Sequence, residues 1–192
     1  MSFYDELSKI DVDKFVSLVD SRTDADVERA IYKTTPRTVD DFAALISENA
    51  RKHYLDVMVQ EATQLTRKRF GRCVNMYLPL YLTNLCNNKC VYCGFSVMNK
   101  FKRVVLTMKE IEEELQAMNK MGYTNILLVS GENSHRAGMP YFREVLPLTK
   151  KYADYLQMEV QPLETEEYAE LKTLGLDAVS VYQETSERND GI

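Results

Sequence analysis

Residues 76–93 have the sequence MYLPLYLTNLCNNKCVYC, in which an apolar segment is followed by three cysteines. Its first eight residues, from Met76 to Thr83, are mostly apolar and aromatic, which predicts a β-strand. Three cysteines, Cys86, Cys90 and Cys93, follow that strand directly. In parallel α/β folds, active sites are built where the strands end, so the cysteines occupy the position expected of a functional site.

Strands and helices alternate from this first strand onward. The sequence predicts further strands at 125–130, 156–161 and 177–184, and helices at 107–121, 139–153 and 165–174. Thr107 and Glu110 form a capping box that opens the first of these helices. The order predicts an α/β fold with a parallel sheet of about four βα units, the first half of a (β/α)₈ barrel.

The predicted third and fourth strands each have two unlike faces. The apolar face carries Leu156, Met158, Val160, Val179 and Val181. The polar face carries Gln157, Glu159, Gln161, Ser180, Tyr182 and Glu184. In one interpretation the polar face lines a cavity while the apolar face packs against helices. In the other, these are edge strands with one solvent-exposed face. The pattern alone favours neither interpretation.

The region before the first strand has only helical patterns. Asp24 and Thr38 are candidate N-caps, and a longer helix is predicted from Ala50 to Phe70, with Gly71 as its stop signal. We therefore predict a helical N-terminal extension at residues 1–71 and an α/β core at residues 72–192.

The length and composition restrict the function further. The chain has 192 residues and a net charge of −5, so it is shorter than the ~250 residues of a whole (β/α)₈ barrel and has no strong nucleic-acid signature. Its longest apolar stretch has seven residues, residues 76–82, whereas a membrane-spanning helix needs ~20. The N-terminus lacks the basic and apolar segments of a secretory signal. We expect a cytoplasmic protein with no membrane or nucleic-acid partner.

The C-x₃-C-x₂-C spacing favours a [4Fe–4S] cluster held by three thiolates, which leaves one iron open to a small chelating molecule. Three alternatives remain. A zinc site would need a fourth ligand, such as His135 or Cys73. In the second alternative the cysteines are structural thiols on one face of a helix. In the third they are part of a cluster that another chain completes. Cys73 lies at the far end of the predicted strand, and we interpret it as a small buried hydrophobe.

These motifs resemble those of the radical S-adenosylmethionine (SAM) superfamily. The match is C-x₃-C-x-aromatic-C, with Tyr92 in the aromatic place, together with Ser130-Gly131-Glu132, which is similar to the superfamily's Gly-Gly-Glu motif. The resemblance implies that Cys86, Cys90 and Cys93 hold a [4Fe–4S] cluster whose fourth iron is chelated by SAM. It also implies that Tyr92 contacts the adenine and that Gly131 and Glu132 receive the SAM amino group.

A longer resemblance covers most of the chain. The segments YLPLYLTNLCNNKCVYCGFSVMNKFKR, LLVSGE, MEVQPL, YAELKTLGLD and VYQET look like the 2-iminoacetate synthase family of thiamine thiazole biosynthesis. The resemblance implies cleavage of the Cα–Cβ bond of L-tyrosine to p-cresol and 2-iminoacetate. It also implies thiazole synthase as a partner and flavodoxin or ferredoxin as an electron donor. Candidate cavity residues are Glu159 and Glu184, taken as cofactor-binding, with Gln161 and Tyr182; no catalytic residue is assigned.

Two other functions remain open. One is the related tyrosine lyase of [FeFe]-hydrogenase cofactor assembly, and the other is a non-catalytic iron–sulfur or zinc-binding fragment. Relative to the family, the chain stops after the fourth strand, so we expect a truncated barrel that cleaves tyrosine poorly on its own. The basic residues after the cysteines either offset the charge of the thiolates and SAM or are solvated. We favour solvation for Lys100 and leave Arg103 open.

Overall fold

The computed structural model describes residues 7–182 of the chain. The chain divides into two compact units, Met1–Val74 and Asn75–Ile192. The first contains helices, and the second contains the parallel sheet with its crossover helices. Each unit has its own apolar core.

The helical unit consists of three short helices with side-chain N-caps followed by a longer helix without one. Its elements are α1 (Val12–Asp20), α2 (Asp24–Ile31), α3 (Val39–Leu45), a π-helical segment (Ala50–Tyr54) and α4 (Leu55–Phe70). Thr38 caps α3 through a capping box with Asp41, as predicted. The predicted Asp24 cap is wrong, because Thr23 is the N-cap of α2 and forms a capping box with Asp26.

The predicted helix from Ala50 to Phe70 is present but irregular. Its first five residues have π-helical hydrogen bonding, and the regular α-helix begins at Leu55. The helix ends at Gly71, whose φ of 68° lies in the left-handed region that favours glycine. The core of this unit is small, consisting of Val27, Ala30, Ile31, Ala44 and Ala50.

The second unit confirms the predicted α/β architecture. Its elements are β1 (Leu78–Thr83), α5 (Met108–Lys120), β2 (Asn125–Ser130), α6 (Met139–Lys150), β3 (Tyr155–Glu159), α7 (Thr165–Thr173) and β4 (Ala178–Val179). The strands are parallel and lie in the order β1-β2-β3-β4. Among the described residues 177–182 of the predicted fourth strand, only Ala178–Val179 form a strand, so it is shorter there than predicted, and residues 183–184 lie outside the described residues.

One face of the sheet packs on the helices to form a continuous core. The strands contribute Leu80, Leu82, Ile126, Leu128, Leu156 and Met158, all of them buried. The helices contribute Ile111, Leu115, Phe142, Val145 and Leu146. Each such side chain stabilises the fold by about 1.5–3 kcal/mol through burial. In β3 the predicted alternation holds, because Leu156 and Met158 are fully buried while Gln157 and Glu159 are half-buried.

Local signals fix the helix ends in this unit. Thr107 caps α5 through the predicted capping box with Glu110. Gly122 and Gly175 follow α5 and α7 with positive φ angles of 87° and 102°. Pro147 lies inside α6 without ending it, since the helix continues to Lys150.

Candidate functional site

The three motif cysteines lie in one long loop after β1, here called the cysteine loop (residues 84–103). Cys86 is buried, and Cys90 and Cys93 are half-buried. The loop is folded by short-range turns: the Cys93 N–H donates to the Cys90 carbonyl at 3.4 Å, and the Ser96 N–H donates to the Cys93 carbonyl at 3.1 Å. The cysteines therefore lie on irregular backbone and not on one face of a helix, which argues against the structural-thiol alternative.

Two of the cysteine sulfurs accept backbone hydrogen bonds. The Asn88 N–H lies 3.5 Å from the Cys86 sulfur, and the Phe95 N–H lies 3.4 Å from the Cys93 sulfur. In both cases the donor is two residues after the cysteine. Such N–H groups stabilise negative charge on sulfur, and hydrogen bonds to sulfur are one means by which proteins tune iron–sulfur clusters.

The described residues hold no ready-made site for a single metal ion. Within residues 7–182, no three His, Cys, Asp or Glu side chains are arranged as a metal-binding group. The three cysteines nevertheless lie within a span of eight residues. Their sharing of one loop, with donors already placed at two sulfurs, fits a thiolate-ligated group.

A second loop, here called the glutamate loop (residues 131–138), follows β2 and packs closely on the first. The Gly131 N–H donates to the Thr83 carbonyl at 3.0 Å. A Cβ added at Gly131 would lie 2.5 Å from the Leu85 carbonyl oxygen and 3.1 Å from the Cys86 Cβ. This approach of two backbones requires glycine and places the end of β2 against the first cysteine.

Asparagine side chains join the two loops. The Asn133 amide donates to the Asn87 side-chain oxygen at 2.9 Å, and the Asn88 amide donates to the Glu132 carboxylate. The Asn87 N–H donates to the Glu132 carbonyl at 3.0 Å. Sequence analysis did not assign these asparagines to the site, and their only sequence signal was a polar loop. They hold Glu132 beside the cysteine loop.

Two buried polar atoms at this edge of the sheet lack a hydrogen-bond partner among the described residues. They are the Ser130 hydroxyl at the end of β2 and the Gln161 side-chain oxygen just beyond β3. The Gln161 amide is satisfied, since it donates to the Ala137 carbonyl at 3.0 Å. Buried polar atoms usually have partners, so this edge retains hydrogen-bonding capacity for a polar ligand. Thiols, an acceptor carboxylate and unpaired polar atoms fit a [4Fe–4S] cluster with SAM.

The other predicted residues have varied positions. Tyr92 lies in the cysteine loop with 60% of its surface exposed, and Glu159 ends β3 on the face opposite Met158. Tyr182 is exposed, and Glu184 lies outside the described residues. The interpretation of Cys73 as a buried hydrophobe is wrong, because Cys73 is exposed in the irregular segment between α4 and β1.

Comparison with known proteins shows a matching family and two similar enzymes. The model of the radical SAM superfamily matches residues 80–189. The 2-iminoacetate synthase of Salmonella typhimurium strain LT2 is 47% identical over 184 residues, which cover 96% of this chain and 48% of that protein. The 2-iminoacetate synthase of Escherichia coli strain K12 is 48% identical over the same shares. The chain thus spans about half the length of the curated relatives it matches.

Solved structures share the fold. A crystal structure of HydG, a maturase of the [FeFe]-hydrogenase, has a TM-score of 0.77 at 23% identity and covers 87% of this chain and 39% of its own. Methylornithine synthase (PylB) has a TM-score of 0.69 at 24% identity, covering 83% of this chain and 48% of its own. Among residues 7–182, no helix has the length and apolar character needed to cross a membrane.

Proposed function

The chain belongs to the radical SAM superfamily, and from that premise we propose that it carries the activity of its 2-iminoacetate synthase relatives. The proposed reaction is cleavage of the Cα–Cβ bond of L-tyrosine to p-cresol and 2-iminoacetate. The observation that carries this proposal is the identity of 47% over 184 residues, a span that covers 96% of the chain and so extends across both the cysteine loop and the glutamate loop. By the same relationship, we propose a cytoplasmic location, a flavodoxin or ferredoxin as electron donor and thiazole synthase as the consumer of the product.

Membership of the superfamily implies a [4Fe–4S] cluster and SAM. Cys86, Cys90 and Cys93 would hold three irons, while Gly131 and Glu132 would receive the SAM amino group and Tyr92 its adenine. When bound, the cluster and SAM supply reductive cleavage of a carbon–sulfur bond and abstraction of a hydrogen atom. The protein's part is to bind, orient and shield these groups.

The residues of the glutamate loop are suited to binding an ammonium group. The Glu132 carboxylate offers charge-assisted acceptors, and the Asn88 amide fixes its orientation by donating to one oxygen. Close contact of Gly131 with Leu85 holds this carboxylate at the cysteine loop. The Ser130 hydroxyl, one residue before Gly131, has no partner among residues 7–182 and adds a donor and an acceptor at the same edge.

The polar face of the sheet supplies candidate contacts to the amino-acid substrate. Gln157 and Glu159 lie on this face of β3, and the Gln157 amide donates to the Ser180 hydroxyl just after β4. These side chains face away from the helix-packed core. We propose that they line the cavity in which tyrosine is held, with Glu184 as a further member.

The tyrosine lyase of [FeFe]-hydrogenase assembly is the second candidate. The fold similarity to HydG favours it, but at 23% identity this similarity concerns the fold alone. The identity to 2-iminoacetate synthase is twice as high, so we place this activity first.

Anaerobic reconstitution with iron and sulfide tests the site. We expect the chain to take up about four irons, to absorb as an iron–sulfur protein and to change its EPR spectrum when SAM is added. Cys90→Ala should lose the cluster, whereas Cys73→Ala should keep it, because Cys73 lies in the exposed segment before β1. Stoichiometric zinc without cluster absorbance or a SAM-dependent EPR change would contradict the proposal.

The reaction itself is tested with SAM, a reductant and tyrosine, with p-cresol as the measured product. We expect slower p-cresol formation than by a full-length relative, because the chain spans about half of the relatives' length. Formation of p-cresol at the relative's rate would show that this span suffices for catalysis. A reconstituted chain that cleaves another amino acid in preference to tyrosine would assign a different lyase activity.

A further inference from the structure

We propose that Arg103 is a positioning residue that holds the cysteine loop closed before a cluster binds. Arg103 thereby controls how well the loop acquires a cluster and how well it retains that cluster. The closure is argued from the contacts of Arg103 alone, while the identity of the bound group rests on the proposed function. The guanidinium group of Arg103 is surrounded by backbone carbonyls of this one loop.

The guanidinium donates to four carbonyl oxygens. Its Nη1 atom lies 2.6 Å from the Asn84 oxygen and 2.8 Å from the Phe95 oxygen. Its Nη2 atom lies 2.6 Å from the Ser96 oxygen and 3.1 Å from the Asn99 oxygen. The two terminal nitrogens carry four N–H groups, which equals the number of carbonyls bound.

These carbonyls lie on both sides of the cysteine motif. Asn84 precedes Cys86 by two residues, and Phe95 follows Cys93 by two residues. One side chain therefore joins the entry and the exit of the motif and closes the loop at its base. Loops generally have few contacts that hold them in place. A single residue that donates hydrogen bonds to four carbonyls of one loop therefore restricts the motion of that loop strongly.

The bonded carbonyls also belong to residues that contact the last cysteine. The Phe95 N–H lies 3.4 Å from the Cys93 sulfur, and the Asn99 amide donates to the Cys93 carbonyl at 3.2 Å. Fixing the Phe95 and Asn99 carbonyls therefore fixes the groups that orient Cys93. The four hydrogen bonds of the Arg103 guanidinium go to other residues, so Arg103 acts on the cysteine through Phe95 and Asn99.

The arginine is itself held in place. Its guanidinium carbon lies 4.0 Å from the centre of the Phe101 ring, a distance typical of a cation–π contact. The next residue is tied to the loop entry, because the Val104 N–H donates to the Asn84 side-chain oxygen at 2.8 Å. Lysine could not replace this arrangement, since its single nitrogen cannot reach four carbonyls on opposite sides.

Arg103 therefore differs from the basic residue three positions earlier. Lys100 is exposed, and within the described part of the chain its side chain has no hydrogen-bond or ion-pair partner. The solvated interpretation holds for Lys100 and fails for Arg103. Lys100→Met is accordingly the matched control for Arg103→Met, because it removes the same charge from the same loop without removing a carbonyl contact.

The first measurement is hydrogen–deuterium exchange of the 192-residue chain without iron. We expect Arg103→Met to speed exchange of the Ser96 and Val97 amides by about tenfold or more, the effect of losing charge-assisted hydrogen bonds. Lys100→Met should leave exchange unchanged, and Arg103→Lys should fall between Arg103→Met and the unsubstituted chain. Equal exchange in Arg103→Met and the unsubstituted chain would overturn the closure. Circular dichroism checks folding, and Arg103→Lys decides the outcome if Arg103→Met does not fold.

The second measurement follows the cluster after anaerobic reconstitution. We expect Arg103→Met to hold several-fold less iron per chain, to release it faster to a chelator, and to show an altered EPR spectrum for any cluster retained. Iron retention and spectra equal to those of Lys100→Met would overturn the positioning role. If Arg103→Lys matched the unsubstituted chain in both measurements, the positive charge and not the four contacts would be responsible. If the unsubstituted chain bound no cluster, the proposed function would fail, and the positioning role with it, while exchange would still decide whether Arg103 closes the loop.

Discussion

The two edges of the parallel sheet differ in how their polar side chains are paired: Asp177 at the amino edge is 36% exposed and paired, whereas the polar atoms at the carboxyl edge that are unpaired among residues 7–182 are buried. At the amino edge, before β4, the Asp177 carboxylate accepts from the Lys150 ammonium at 2.9 Å and from the Leu156 N–H at 2.8 Å. At the carboxyl edge, the Ser130 hydroxyl and the Gln161 side-chain oxygen are buried without partners in the described structure. The Asp177 carboxylate at the amino edge is thus paired, whereas two buried polar atoms where the loops meet are unpaired within the described structure.

The largest effect should come from the tight contact at the carboxyl edge. Gly131→Ala places a Cβ 2.5 Å from the Leu85 carbonyl oxygen, so backbone must shift. We expect a loss of about 3 kcal/mol in the free energy of unfolding, the upper part of the range for overpacking. Urea denaturation measures the change.

Gly94→Ala is the matched control, because its added Cβ meets no atom within 4 Å. Its effect should stay within about 0.5 kcal/mol. Equal stability of the two alanine variants would show that the two loops can separate without cost, and that the close approach at Gly131 does not hold them.

A smaller loss in the free energy of unfolding is expected from a substitution at the amino edge. Asp177→Asn removes the ion pair with Lys150 and weakens the bond from the Leu156 N–H, which should lower the free energy of unfolding by about 1 kcal/mol. Glu114→Gln on the exposed face of α5 is the control and should have almost no effect. If Asp177→Asn were as stable as the control, the pairing at this edge would be structurally irrelevant.

The same carboxylate predicts a dependence on pH. The Lys150 ammonium, followed by the Leu156 N–H, lowers the pKa of Asp177 below its usual value. Its stabilising contribution is therefore present above the unfolded pKa of ~3.9 and is lost as pH falls through the lowered folded pKa. The stability difference between the unsubstituted chain and Asp177→Asn should be constant from pH 7 to pH 5 and shrink below pH ~4. A difference that grew on acidification would contradict this sign.

The smallest effect on stability should come from Ser130→Ala. Removing a buried hydroxyl that has no partner in the described part of the chain should leave the free energy of unfolding within about 0.5 kcal/mol of its original value or raise it slightly. The SAM-dependent change in the EPR spectrum should nevertheless require more SAM. Loss of stability without any change in SAM dependence would mean that the hydroxyl serves the fold.

Local sequence signals predicted those parts of the fold that depend on neighbouring residues. The capping boxes at Thr38 and Thr107 are complete within four positions, so both predicted helix starts were right. At α2, Thr23 and Asp24 are both good capping residues, and only the position of Asp26 selects Thr23. The π-helical turn at Ala50–Tyr54 has no local signal in the sequence and was missed.

In the candidate site, too, the sequence predicted only those features that follow from a general rule or a local signal. Placing the cysteines and Gly131-Glu132 at one edge required only the rule that parallel strands end together. The contact between Asn133 and Asn87 joins residues 46 positions apart in two loops, and loops have no periodicity from which such a pair can be read. The contacts of Arg103 were missed because four of its partners are backbone carbonyls, which every residue possesses.

After Arg103, residues 104–106 run back along β1. The Leu106 N–H donates to the Leu82 carbonyl at 2.9 Å, and Thr83 and Val105 form an antiparallel bridge. The end of the free edge of β1 is therefore already hydrogen-bonded. Uncovered strand edges are where chains add to one another and aggregate. The segment that completes the cysteine loop thus also prevents another chain from extending the sheet at the end of the first strand.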